Sequence, residues 1–599
     1  MKKAVIALLL VLLAGGFLFA GAPQEEAAEA AAPIAAAAPA PEIKNPDTLV
    51  FGTSGTIDSL DPSKAYDTAS WTHIGLIYDR LVGYDGASTT NFVPVLIEQI
   101  PTKANGLVSA DGLTVRVKVK KGIKFHDGSE LTPEDVEYTF ERNMVADDVG
   151  GVDAIWYELF TDGFFSARDG DDYVLDFDVI DNAVEVDGDF VQFNLSQPSG
   201  AFVAILAGRW ASIVNKDFVI ANGGWDGTAA TWKEYNQIDA NEETLWDIEN
   251  GTGPYMLNRW EKGVEMVVER FDGYHGKRPA LKYGIYRVMD EWTTRKLALL
   301  QGDVDIASVN AVNYPEMEGE AGITIARDLP SLSIGGLNFN LNIPTSNPYI
   351  GSGKLDGAGI PSNFFTDKDV RLGFSYAWDQ KTYEVDISNG TAFAPVTPVP
   401  FGLPYKDESL ELYPYDLAKA EQHFRAAWAG KLWEQGFKLE LLYNTGNDDR
   451  AAIVRLLAEN IASLNPKFDV STRGIEWAEY VNLNRAKSLP VFYIGWAPDF
   501  IDPANYVFHY MHTYGAYYGR ASYSNPEVDR LIAEGSAGQT DAVRQAAYYR
   551  LQEIWLEDVI GIMNSQVLSR RYSRDWVKGL YYSPAQSSVY DLLPVLSKE

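Results

Sequence analysis

Between Thr114 and Met144 the chain changes its hydrophobic period, and that change constrains the fold more than any other feature. Thr114 to Val119 (TVRVKV) alternates residue by residue, as a half-buried strand does. Lys118 to Phe125 is expected to continue it, and Asp127-Gly128 is a turn dipeptide. Thr132 then stands as an N-cap, Pro133 at the first helical position, and Glu134 and Asp135 in the first turn. Asp135 is placed to reach back to the cap amide. Val136, Phe140 and Met144 recur every fourth residue and should face a core. Each charged residue here has a capping role or a solvated face. His126 and Asp127 therefore read as architecture rather than catalysis, since neighbours on a strand point to opposite faces.

The same alternation of element types runs through the 599 residues. Thr48 to Thr53 is a β-rich run, and Tyr255 to Trp260 and Val264 to Arg270 flank a Glu261-Lys262-Gly263 turn as a hairpin. Helical patterns cover Thr293 to Leu300, Val370 to Trp378, Asp416 to Trp428, Asp448 to Ser463 and Asp541 to Glu557. Interleaved strands and helices argue for an α/β fold. The net charge of −33 repels phosphate backbones and argues against nucleic acid as a partner. The chain has no cysteine, which excludes disulfides, thiolate metal sites and cysteine nucleophiles.

At the N-terminus, Lys2 and Lys3 precede an apolar run from Ala4 to Ala20 and a small-residue exit at Ala20-Gly21-Ala22. Those are the parts of a secretory signal peptide, expected over residues 1–22, with an uncleaved membrane anchor as the alternative. Phe19-Ala20-Gly21 resembles a lipoprotein box, but Ala22 stands where the lipid-bearing cysteine would be. Residues 23–46 are rich in Ala, Pro and Glu and read as a tether, since Pro33, Pro39, Pro41 and Pro46 interrupt any helix. Export to the periplasm or cell surface is the expected localisation.

The opening segment, Lys124-Phe125-His126-Asp127-Gly128 with Leu131-Thr132-Pro133-Glu134-Asp135-Val136, resembles the extracytoplasmic solute-binding proteins of family 5, which feed oligopeptide and dipeptide ABC importers. Other stretches agree in the family's order. They include Ser59-Leu60-Asp61-Pro62, Tyr78-Asp79-Arg80-Leu81-Val82, Gly251-Thr252-Gly253-Pro254-Tyr255, Gln301-Gly302-Asp303-Val304-Asp305 and Gly495-Trp496-Ala497-Pro498-Asp499. Tyr415-Asp416-Leu417 departs from the pattern, with Leu417 in place of a proline. The resemblance spans roughly residues 45 to 590.

It implies a two-lobed periplasmic-binding-protein-like fold of the cluster C type, with a hinge and an extra subdomain inserted in the first lobe. The expected division gives residues 47–85 and 201–325 to the first lobe and 86–200 to the inserted subdomain. Residues 326–558 make the second lobe, and 559–599 return to the first. Ligand would be enclosed by hinge closure and handed to the transmembrane subunits of an ABC permease. A monomer without cofactor or metal is expected. By the motif match, Asp499 is the carboxylate that pairs with a peptide's α-amine, a charge-assisted bond favoured in a closed cleft. Tyr66, Thr68, Ser70 and Trp71 fall in the segment that lines the cleft in the family, and Trp496, Phe500 and Tyr506 are candidate walls. The arginine that some peptide binders use for the ligand's carboxylate has no evident counterpart in the sequence.

Peptide is the leading ligand. With 15 Trp and 33 Tyr, a β-linked oligosaccharide stacked on aromatic faces is the alternative. His509 and His512, three apart, give a weak metal reading and keep a nickel complex in view. An enzyme is not expected: the chain has no nucleophile elbow, and Gly351-Ser352-Gly353-Lys354 lacks the pattern of a phosphate loop.

Overall fold

Thr48–Thr53 is buried at every residue, which suits a strand flanked on both sides. It runs parallel to Tyr283–Val288, with Thr48 opposite Tyr283, and to Ile306–Ala307 on its other edge. The computed structural model describes residues 43–599 apart from 90, 149–151, 240–241, 538–539 and 585–587. The expected signal peptide and most of the expected tether lie outside the described residues.

The main sheet has nine strands. The hairpin Tyr255–Glu261 and Glu265–Arg270 ends it on one side, and Val491–Trp496 on the other. Two strands are much longer than the rest: Ile323–Phe339 has 17 residues and Gly561–Arg574 has 14. They pair antiparallel along their length. At one end Gly561–Arg574 meets Ile306–Ala307, and at the other Ile323–Phe339 meets Val491–Trp496. These strands therefore carry the chain between two lobes. Their register slips between Ala326 and Leu329 and again between Pro330 and Ile334. Such irregularities loosen a ladder locally.

One lobe packs Leu49, Phe51, Tyr255, Tyr286, Tyr590 and Leu593 into a common core. Asp305 ties the C-terminal return to it, accepting from Val50 N at 2.8 Å and Trp576 Nε1 at 2.8 Å and pairing with Lys598 Nζ at 2.9 Å. A three-stranded antiparallel sheet (Thr114–Lys118, Phe190–Asn194, Val184–Asp187) is a separate layer, packed on helix Pro133–Ala146. Phe140, Trp156 and Phe193 meet edge to face there at 4.9 and 5.0 Å. In the other lobe, helices Lys368–Ala377, Leu417–Ala426 and Asp448–Leu464 surround the parallel pair Phe437–Asn444 and Phe468–Ile475.

The segment that opened the sequence analysis folds largely as expected. Asp135 Oδ2 accepts from Thr132 N at 2.8 Å, and Val136, Phe140 and Met144 are fully buried. His126 Nδ1 lies 2.7 Å from Glu249 Oε2 and its Nε2 3.1 Å from the Gly253 carbonyl. Asp127 bonds Ser129 and Asn250. This cluster joins two chain segments. The strand does not continue to Phe125, however; it ends at Lys118. Gly122 takes a positive φ of 79°, and the chain folds back so that Leu131 N donates to Ile123 O. The basic run before Gly122 keeps the alternation alive in sequence, but the left-handed turn breaks the ladder.

Candidate ligand-binding cleft

Two segments from different lobes meet beside the hinge. In the first lobe, Asp67 caps helix Thr68–Ile77 by accepting from the Ala69 and Ser70 amides at 3.0 Å. The far end of this helix is held by close backbone contact: a Cβ on Gly251 would lie 2.0 Å from the Ile77 carbonyl oxygen. That contact demands glycine in the Gly251-Thr252-Gly253 motif. In the second lobe, Val491–Trp496 pairs Trp496 with Ile334 of the hinge strand. The chain then leaves the sheet through Ala497-Pro498-Asp499, and helix Pro503–Met511 starts on the Asp502 cap.

That helix turns Asn505 and His509, one turn apart, toward Asp499. Asn505 Nδ2 donates to Asp499 Oδ2 at 2.8 Å, while Asn505 Oδ1 accepts from Trp496 Nε1 at 2.8 Å and Asp499 N at 3.1 Å. From the opposite lobe the Tyr66 hydroxyl donates to Asp499 Oδ2 at 3.2 Å and lies 3.3 Å from His509 Nε2. The Tyr66 ring is 5.0 Å from Trp71 and meets Trp496 edge-on at 5.4 Å. The Asp499 side chain is 0% exposed, yet its Oδ1 has no hydrogen-bond partner. Burial holds His509 below the usual histidine range, although Asp499 opposes the shift. Burial and the Asp499 charge push the Tyr66 hydroxyl well up. Among the described residues no lysine or arginine is recorded in an ion pair with Asp499, whose one such contact is His509 at 3.5 Å.

Three cavities meet around the Trp496–Asp502 loop. One, of about 270 Å³, is bordered by Tyr66, Asp67, Thr68, Trp71 and Trp496 and by Arg450, Arg485 and Arg520. Arg450 donates to Asn444 Oδ1 at 2.8 Å and lies 5.1 Å from the Trp477 ring centre. Arg485 Nε is buried without a hydrogen-bond partner. Burial and the neighbouring Arg485 charge lower Arg520 to about 10. A second cavity, of about 290 Å³, touches Asp499 itself, and a third, of about 550 Å³, begins at Phe500.

Of the expected site residues, Asp499, Trp496, Tyr66 and Trp71 come together, and Thr68 borders the same cavity. Phe500 faces the third cavity. Ser70 points into packing, where its Oγ accepts from the Asp58 and Ser59 amides at 3.0 and 3.3 Å. Tyr506 is fully buried, its hydroxyl bonded to the Leu332 carbonyl at 2.8 Å. His509 and His512 have separate partners, since His512 Nε2 lies 3.6 Å from Asp529. Among the described residues no group of three or more His, Cys, Asp or Glu is arranged to hold a metal ion. Nor is any helix among them long and apolar enough to cross a membrane.

The sequence pattern of the bacterial extracellular solute-binding proteins, family 5 (middle portion), matches residues 91–518. The chain belongs to this family. Its members are solute-binding transport proteins, which places this chain among binding proteins rather than with an enzyme family. A probable D,D-dipeptide-binding periplasmic protein of Escherichia coli, DdpA, is 26% identical over 555 residues, covering 91% of this chain and 93% of its own. The periplasmic binding protein DppA from Helicobacter pylori, in complex with the peptide STSA, superposes with a TM-score of 0.73 at 22% identity over 92% of this chain and 98% of its own. AppA from Bacillus subtilis, in complex with a nonapeptide, gives 0.73 at 21% identity over 93% and 100%. These likenesses establish the two-lobed family fold.

Sequence reasoning missed Asn505, His509 and the three arginines as cleft residues. Asn505 and His509 carried a signal, the four-residue spacing after Asp502-Pro503. The arginines carried none, because they come from three separate helices.

Proposed function

We propose that this chain is the extracytoplasmic substrate-binding component of an ABC importer and that its ligand is a peptide with free ends. Residues 47–85, 201–325 and 559–599 form one moving body, which carries 86–200 with it, and residues 326–558 form the other. Closure about the two long strands encloses the ligand, and the closed monomer docks on the permease. Residues 1–22 direct export, and no thiol is present for lipidation. The protein itself makes and breaks no bonds.

One observation carries the peptide reading: a buried carboxylate with a free oxygen and a group of arginines line adjoining cavities. Asp499 presents a buried carboxylate with Oδ1 unpartnered, the partner an α-ammonium needs. Arg450 and Arg485 form no ion pair among the described residues and border the neighbouring cavity, where planar guanidinium donors suit a carboxylate. Tyr66, Trp71 and Trp496 wall the space between. Peptide complexes of two structural neighbours, DppA and AppA, support a peptide as the ligand class.

A thermal-shift panel tests it, comparing di- to hexapeptides with β- and α-linked oligosaccharides. A ligand at a hundred times its Kd stabilises by about 2.7 kcal/mol, a readable shift. Peptides should raise Tm, and blocking either end should weaken the effect. A response to sugars alone would overturn the peptide reading and hand the cleft to its aromatics.

A further inference from the structure

The largest of the three cavities holds a carboxylate that the peptide's two ends do not use. Helix Asp153–Phe160 buries Ile155, Trp156, Tyr157, Leu159 and Phe160. Glu158, among them, is half-buried and borders the cavity of about 550 Å³. Among the described residues it makes no hydrogen bond and no ion pair. The other charged groups facing this cavity are Asp502 and Arg544, and they neutralise one another: Arg544 Nη2 lies 2.7 Å from both Asp502 oxygens. Apolar lining comes from Phe92, Ile155, Leu159, Ile205, Phe500 and Phe508, and Thr89, Gln197, Ser199, Asn505 and Ser536 add neutral polar groups. The cavity thus holds one carboxyl group with no partner among the described residues, and a cationic ligand group would draw it into its charged form. Burial pushes Glu158 up to about 7, the mark of a carboxylate lacking a cation.

We propose that this cavity is a side-chain subsite and that Glu158 selects peptides bearing a basic side chain. The inference rests on the peptide reading above. Asp499 and Phe500 are adjacent in the chain, and Tyr84 borders both the cavity touching Asp499 and the one holding Glu158. A peptide whose amine sits on Asp499 can therefore send a side chain past Tyr84 and Phe500. Lysine and arginine have the required form: a methylene stem for the apolar walls and a cationic head for Glu158. A neutral stem would fill the walls but leave the carboxylate alone. An acidic one would be repelled.

The test is calorimetric titration of the full mature chain with alanine peptides of increasing length. Each is then compared with variants carrying lysine, norleucine or glutamate at one position. Wild type should bind one lysine peptide about tenfold more tightly than its norleucine counterpart, a difference near 1.4 kcal/mol. Glu158→Gln should erase that difference while leaving the all-alanine Kd within about twofold. All-alanine binding also reports that the variant is folded. Equal affinity for lysine and norleucine in wild type at every position overturns the proposal, as does a preference that survives Glu158→Gln. If no peptide binds at all, the peptide reading falls first. If alanine peptides bind without lysine preference, only the Glu158 subsite falls.

Discussion

Two buried polar clusters flank the Ser59–Trp71 stretch, and they differ in how their charges are met. In one, Arg142 Nη1 donates to Asp61 Oδ1 at 2.9 Å, Arg142 Nη2 to Glu243 Oε2 at 3.2 Å, and Lys64 Nζ lies 3.3 Å from Glu243. Acids and bases balance. Burial would raise the Asp61 carboxyl, but the Arg142 guanidinium outweighs it and holds Asp61 below its ordinary value. In the other, Asp499 has Tyr66, Asn505 and a histidine whose protonation burial disfavours. Among the described residues no lysine or arginine pairs with it. The balanced network meets its charges within the fold, whereas the proposed role of Asp499 is to have its charge met by the ligand.

The largest effect is expected from unbalancing the Arg142 cluster. Arg142→Met leaves Asp61 and Glu243 buried together, a loss expected to cost about 3–5 kcal/mol. Urea unfolding should show it as a lowered midpoint, while the peptide Kd of the remaining folded protein stays near wild type. A midpoint shift worth less than about 1 kcal/mol would mean the network does not hold the fold.

The complementary change is Asp499→Asn. It removes a charge that has no internal cation, so the melting temperature should hold or rise. Peptide affinity should fall by about 10- to 100-fold, the loss of one charge-assisted bond of about 1.5–3 kcal/mol. N-acetylated peptides should already bind wild type that weakly. If acetylation costs nothing, Asp499 is not the amine anchor. A smaller effect, about tenfold, is expected for Arg450→Gln, because Arg485 and Arg520 border the same cavity. C-terminal amides should then lose their disadvantage relative to free acids, and an undiminished disadvantage would move the carboxylate site elsewhere.

How much of this was legible in sequence follows from distance along the chain. Thr132 and Asp135 are three residues apart, so their cap was readable, as were the helix Asp448–Leu464 and the hairpin at Tyr255–Arg270. Asp499 stood in a local motif. Its Tyr66 partner is 433 residues away, and no periodicity links them. The balanced cluster was hidden for the same reason, since Asp61 and Arg142 are 81 residues apart. Ser70 shows the opposite failure. Its neighbour Trp71 borders the cavity, but on a helix adjacent positions diverge by about 100°, and Ser70 turns to the Asp58 and Ser59 amides instead.

The smallest effect is expected at Asp58, whose amide Ser70 holds. Asp58 is pushed from an ordinary 3.8 up to about 6, first by burial and then by the negative charge of Asp67, with Arg485 across the cleft opposing both. Glu476 and Asp148 add smaller repulsions. A carboxyl whose folded pKa lies above its unfolded value favours the fold in its protonated form. That contribution is whole below about pH 4 and is lost as pH rises through about 6. Asp58→Asn keeps the shape and removes the charge. It should therefore raise Tm relative to wild type at pH 8, with the gain shrinking through pH 6 and vanishing by pH 4. A gain of equal size at every pH would trace the effect to packing. A loss at pH 8 would show instead that the Asp58–Arg485 attraction outweighs the cost of burial, and that the mouth of the cleft, like the Arg142 cluster, is a balanced site.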